Sequence, residues 1–146
     1  ISKKKNEIVS FSDAFHGRTM MAIALNGSDR FVEGFGPMPE GIKHHPFNEE
    51  KNIGKAITKK TAAVILELVQ GEAGIIKAKK GFVQKIKKLC KQNKALLIID
   101  EALDAFSEKD LVLVINSLKN INYPWTLIAT TRRQEVANFF ENKMHL

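Results

Sequence analysis

Four carboxylates stand where a β-sheet could put them to use. Asp100 and Glu101 end the apolar run Ala95-Leu96-Leu97-Ile98-Ile99. Glu67 interrupts a second run, Thr61–Val69, near its carboxyl end, and Glu72 follows in Gln70-Gly71-Glu72-Ala73-Gly74. Five apolar residues in a row read as a parallel strand buried on both faces. Such strands deliver polar residues to the carboxyl edge of the sheet, where open α/β folds hold their ligands. The competing reading has Asp100 and Glu101 capping the next turn and facing solvent. Other reactive types fit less well. Cys90 shares a helical face with Phe82, Ile86 and Leu89, which makes it core packing rather than a nucleophile. His16, His44, His45 and His145 match no standard metal spacing, so no metal site is expected. Gly36-Pro37-Met38-Pro39-Glu40-Gly41-Ile42-Lys43 imitates a phosphate loop, but Ile precedes Lys, no Ser/Thr follows, and its prolines lack the N–H groups that cradle phosphate. Arg132-Arg133 reads as a solvated pair.

The elements that must position these groups alternate along the chain. Glu7–Phe11 is a short strand, and Phe15–Thr19 a turn punctuated by Gly17. Thr19–Leu25 is a short helix closed by Asn26-Gly27. Ser28–Asn48, with Gly34, Gly36, Pro37, Pro39, Gly41 and Pro46, is expected to be irregular, and a loop of that length is usually functional or covered by a partner. Asn48–Thr58 reads as a helix capped by Asn48, with Glu49 and Glu50 in its first turn. Thr61–Val69 is a buried strand. Gly81–Asn93 is an amphipathic helix, and Ala95–Asp100 the third strand. Ser107-Glu108-Lys109-Asp110 resembles a capping box and opens a helix to about Leu118. Thr126–Thr130 is a fourth strand, Thr131 caps a helix to about Phe140, and Lys143–Leu146 is a last edge strand. The pattern predicts one α/β domain over residues 1–146: a mostly parallel sheet with helices on both faces, a three-layer sandwich.

The bulk properties agree. A chain of 146 residues with 44% hydrophobic and 27% charged residues has the makings of one soluble globular domain. No apolar run approaches the roughly 20 residues that cross a bilayer, and a single cysteine excludes an internal disulfide, which fits a cytoplasmic protein. Ile1 opens the chain with neither an initiator Met nor a secretory pattern, as in an excerpt or a processed product. The net charge of +7 is uneven: residues 1–94 hold 18 Lys+Arg against 9 Asp+Glu, and residues 95–146 hold 5 against 7. The lysines fall between apolar helix positions without interleaved aromatics, so they read as a solvated surface rather than a nucleic-acid site.

From about residue 7 to residue 101 the sequence resembles a class III pyridoxal-phosphate aminotransferase of the acetylornithine type, a family of arginine biosynthesis. The resemblance rests on Ile8-Val9-Ser10-Phe11, Phe15-His16-Gly17-Arg18-Thr19, Gly34-Phe35-Gly36-Pro37, His45-Pro46-Phe47-Asn48, Glu67 with Gln70–Gly74, and Leu96–Glu101, in order. It implies that Phe15, His16 and Asp100 bind the cofactor: Phe15 stacks on its ring, and Asp100 pairs with the pyridine nitrogen so that the ring can act as an electron sink. It places Glu67 and Glu72 near the substrate pocket and implies a homodimer, because a second subunit completes that family's large domain. The departures are specific. Ala102-Leu103-Asp104 stands where Val-Gln and glycines are usual, so a glutamine that contacts the cofactor hydroxyl is missing. Leu68 replaces a usual proline and Ala73 a common glycine. The Schiff-base lysine, in a Lys-Ala-Leu-Gly-Gly context, and the upstream Gly-Thr phosphate cup do not occur, so no transaminase turnover is expected from this chain alone.

From about Leu96 onward the sequence also resembles an ABC transporter ATPase. Leu-Leu-Ile-Ile-Asp-Glu-Ala-Leu-Asp-Ala is similar to a Walker B strand and D-loop, and Pro124–Thr131 to the next strand and switch turn. This resemblance implies Mg-ATP as the ligand, with Asp100 on the metal and Glu101 polarising the attacking water. Thr131 replaces the switch histidine, and neither a signature motif nor a Walker A loop is present. The two resemblances meet on one strand, where the charge balance also turns. They imply a chimera: aminotransferase-like residues 1–94, a shared strand 95–101 and an ATPase-like end 102–146. A non-enzymatic scaffold that meets another chain through residues 28–48 is the third reading.

Overall fold

The computed structural model of this chain describes residues 4–100, 107–119, 127–129 and 133–139. Two sequence patterns build its first layer. In β1 (Glu7–Phe11) Val9 and Phe11 are buried on one side and Ser10 on the other. α1 (Met20–Leu25) starts at Thr19, whose Oγ1 accepts from the Ala22 amide at 3.3 Å, so one of the orphan N–H groups of the first turn is satisfied. After α1 a 3₁₀ turn, Asp29–Phe31, leads to β2 (Ile42–His45), then α2 (Ile53–Ala56) and β3 (Thr61–Glu67). A two-residue hairpin, β4 (Val69–Gln70) and β5 (Ile76–Lys77), precedes α3 (Lys80–Asn93). β6 (Leu96–Asp100), α4 (Glu108–Lys119), β7 (Leu127–Ala129) and α5 (Gln134–Ala137) complete the described chain.

The main sheet has the order β2-β1-β3-β6-β7 and every pair in it is parallel. Its two faces are dressed differently. Val9, Phe11, Val64, Leu66, Leu97 and Ile99 form one cluster with Ile53 and Ile57 of the α2 region and Phe82, Ile86 and Cys90 of α3. Phe11, Phe47 and Phe82 meet edge-on there, with centroids 5.2 to 6.3 Å apart. The opposite face carries α1, to which Ser10 is tied by its hydroxyl donating to the Leu25 carbonyl at 2.6 Å. Helices therefore lie on both faces, and the α/β architecture is the expected one.

Several elements differ from their sequence pattern, each for a visible reason. Residues 28–48 are not wholly irregular: Ile42–His45 is an edge strand, in register with Ile8–Phe11. Its I-K-H-H pattern carries no alternation, and pairing with β1 makes it a strand. The turn into it needs Gly41, at φ +85°, because a Cβ there would lie 2.3 Å from the Asn6 carbonyl oxygen. The helix expected over 48–58 shrinks to Ile53–Ala56. Asn48 does not cap it. Its amide is spent on the next connection, where Oδ1 accepts from the Lys79 N–H at 2.6 Å and Nδ2 donates to the Lys77 carbonyl at 2.8 Å. Glu49 and Glu50 consequently precede the helix instead of opening it. The strand expected to reach Val69 ends at Glu67, and residues 69–77 turn back as the hairpin. β6 is buried on one face only: Leu97 and Ile99 are 8% exposed, while Leu96 and Ile98 are half-buried. Ser107 does cap α4, accepting from the Asp110 N–H at 3.2 Å. Among the described residues no helix is long and apolar enough to cross a membrane.

Candidate functional site at the carboxyl edge of the sheet

The chain leaves β1 through α1 to reach β2 on one side, then crosses by α2 on the other face to reach β3 on the far side of β1. The winding thus reverses between β1 and β3. Such switch points open a crevice beyond the carboxyl ends of the strands, because the two connections leave in opposite directions. The residues that follow β1 and those that end β3 and β6 converge there.

Glu67 and Asp100 are register partners on β3 and β6, so their side chains share the α1 face. Glu67 is 8% exposed, and its Oε2 accepts the Phe15 backbone N–H at 3.1 Å. Asp100 faces His16, whose Nδ1 lies 2.8 Å from Asp100 Oδ2. An ionised carboxylate only accepts, so Nδ1–H is the donor. The His16 side chain is 2% exposed and that of Asp100 17%, which makes the pair an inner histidine behind a carboxylate that still reaches the surface. His16 Nε2 is buried with no hydrogen-bond partner among the described residues.

Asn26, which the sequence marks only as a helix end, holds the loop in place. It is 2% exposed. Its Oδ1 accepts the His16 N–H at 2.6 Å, and its Nδ2 donates to the Gly17 carbonyl at 3.1 Å. Gly27 beside it touches the end of β1 so closely that a Cβ would lie 2.0 Å from the Phe11 carbonyl oxygen. Gln70, also 2% exposed, donates to the Ser12 carbonyl at 2.9 Å and ties the hairpin to the same loop. No sequence signal isolates Asn26 or Gln70, since an Asn before Gly reads as a turn and a Gln before Gly as a loop.

The remaining candidates are scattered. Glu72 lies at the exposed hairpin tip; its carbonyl accepts from Arg30 Nη2 at 3.4 Å. Lys43 of the imitation phosphate loop sits in β2 and pairs with Glu7 at 2.9 Å. His45 is buried, with Nε2 2.9 Å from the Glu49 carbonyl oxygen, and His44 is exposed on the same edge strand. Among the described residues no three His, Cys, Asp or Glu gather as metal ligands do. Cys90 is 1% exposed, and burial pushes its thiol up to about 12, so it is inert packing. Glu101, Arg132 and His145 lie outside the described residues, as do Thr131 and the strand expected over 143–146. An open concavity of about 530 Å³ on the segment Asp29–Phe35 includes neither His16 nor Asp100 in its lining. The convergence at the sheet edge, and not this concavity, marks the site.

Comparison with known proteins fits this geometry. The family model for class-III aminotransferases matches residues 2–106. The chain belongs to the class III aminotransferases. An acetylornithine/succinyldiaminopimelate aminotransferase of Buchnera aphidicola is 47% identical over 98 residues, 67% of this chain and 24% of that protein. A succinylornithine transaminase of Photorhabdus laumondii is 34% identical over 153 residues, 98% of this chain and 38% of its own length. Among solved structures, an ornithine aminotransferase from Toxoplasma gondii superposes with a TM-score of 0.62 at 25% identity, over 68% of this chain and 24% of that one. The chain thus spans about a quarter to two fifths of the relatives it matches. The alignment with the Photorhabdus enzyme runs through the last third as well. Nothing supports an ABC ATPase segment or a chimera, and the likeness at Leu96–Glu101 reduces to what any parallel strand ending in carboxylates shares.

Proposed function

We propose that this chain provides the ring-nitrogen end of a pyridoxal-phosphate site in an aminotransferase of the acetylornithine or succinylornithine type. The His16–Asp100 pair carries the reading. A carboxylate at the carboxyl edge of a parallel sheet, backed by a buried imidazole and 17% exposed, suits a cationic ring nitrogen. The donor set fits that end of the cofactor: an acceptor for the nitrogen in Asp100, an aromatic wall in Phe15, and a buried unpartnered nitrogen behind them in His16. Pyridoxal phosphate, when bound, supplies an electron sink for negative charge developing beside the substrate nitrogen.

The chain's own groups divide the work. Asp100 holds the proton on the ring nitrogen. His16 donates to Asp100 and fixes its orientation, and Asn26 fixes His16 through its backbone. Glu67 accepts the Phe15 N–H, which sets where that ring begins. Glu72 is placed toward the amino-acid substrate at the rim. The lysine that anchors the cofactor in this family, in its Lys-Ala-Leu-Gly-Gly setting, is not among these 146 residues. The chain alone therefore binds the ring without turning substrate over, and a second copy completes the site. The ATPase alternative has no support beyond Asp100 and its neighbour.

Titration with pyridoxine 5′-phosphate tests this. That analogue lacks the aldehyde and cannot react with the many surface lysines. Saturable binding, weakened about tenfold or more in Asp100→Asn by loss of a charge-assisted pair, is expected. Stabilisation by Mg-ATP instead would contradict the proposal.

A further inference from the structure

Phe31 and Arg30 lie in the glycine- and proline-rich segment, outside every motif, yet they touch the site at two points. The Phe31 ring packs on the Phe15 ring, with centroids 5.3 Å apart and planes inclined at 55°. The Arg30 guanidinium carbon lies 4.5 Å from the Phe31 centroid. The same guanidinium donates through Nη2 to the Glu72 carbonyl oxygen at 3.4 Å. Residues after β1 and residues after β3 are thereby joined through one short turn.

We infer that Phe31 is a positioning residue for Phe15, and that Arg30 fastens Phe31 in place by bridging to the Glu72 hairpin. Glu67 fixes the Phe15 backbone, but that hydrogen bond leaves the ring free to choose its rotamer. A phenyl ring has no polar handle, so packing alone selects its orientation, and Phe31 is the aromatic ring packed on it. Phe31 is half-buried and Arg30 exposed, so the fastening is weaker than the packing it secures. The consequence is a coupling: a planar ligand seated on Phe15 holds residues 28–31 and the hairpin tip together, and loosening either loosens the ring. This rests on the reading of Phe15 as the wall of the cofactor site.

The test uses the full chain in two measurements, pyridoxine 5′-phosphate titration and amide hydrogen exchange without ligand. Phe31→Ala is expected to weaken the analogue about tenfold, Arg30→Gln about threefold, and Phe31→Tyr, which keeps the ring, less than twofold. In the unliganded chain Phe31→Ala is expected to raise exchange about tenfold at the Phe15 amide and at residues 71–76, while Val64 and Leu66 of β3 keep wild-type rates. Failure of the wild type to bind the analogue defeats the cofactor reading alone, and the exchange pattern then decides the positioning role. Wild-type binding by Phe31→Ala overturns the inference. So does a rise in exchange that is equal in β3 and around Phe15, because that is what simple destabilisation gives.

Discussion

The two faces of the sheet are made by the same strands and do different work. Toward α2 and α3, Val9, Phe11, Val64 and Leu66 are at most 1% exposed, and no polar side chain joins their cluster. Toward α1 the same strands present Ser10, Glu67 and Asp100, with Ile65 and Ile98 half-buried between them. The first face stabilises through apolar burial and tight packing. The second spends burial on polar groups, each of which must find a partner. Period-two alternation lets one strand serve both ends: Leu66 anchors the core while Glu67, one residue on, holds the loop of the site.

Substitutions can break this division. The largest loss of stability is expected from Phe82→Ala, about 3–5 kcal/mol, because the side chain is wholly buried between Phe11 and Phe47 and leaves a cavity; chemical denaturation reads it directly. Asn26→Ala comes next, at about 1–3 kcal/mol, since the His16 N–H and Gly17 carbonyl lose their acceptor and donor. It also weakens pyridoxine 5′-phosphate, which Phe82→Ala should do only as far as the chain unfolds. Asp100→Asn is expected to cost under about 1 kcal/mol of stability while losing the analogue, because a partly exposed pair contributes little to folding. A loss of several kcal/mol would place Asp100 with the core instead. The smallest effect concerns Cys90. With its thiol raised from 9.0 to about 12 by burial, it should resist alkylation at pH 8 until the chain is denatured. The sign follows: the unfolded thiol ionises first, so this group's contribution to stability is intact below about pH 9 and is lost as pH rises toward 12.

The sequence exposes the buried face better than the open one. β1, α3 and β6 follow from alternation or from Phe82, Ile86 and Cys90 at helical spacing, because burying an apolar face leaves a period behind. Glu67 and Asp100 stand out as carboxylates at the ends of such runs. β2 leaves no trace, since Ile42–His45 is a strand only by virtue of its partner β1. The short α2 and the hairpin are set by long-range brackets from Asn48 and Gln70, and no local pattern encodes a hydrogen bond 31 or 58 residues away. The same holds for Asn26 and Phe31. The apparent change of family at residue 95 has a related cause, since a buried strand ending in two acids makes similar demands in unrelated α/β proteins.

The central claim is that Asp100, backed by His16, holds a proton on a pyridine ring nitrogen. Nitrogen-15 NMR of ring-labelled pyridoxine 5′-phosphate bound to the full chain reads that proton directly. A pyridinium shift in the wild type that reverts to neutral pyridine in Asp100→Asn is the predicted result. A neutral-pyridine shift in the wild type, or the same shift in both proteins, would contradict it.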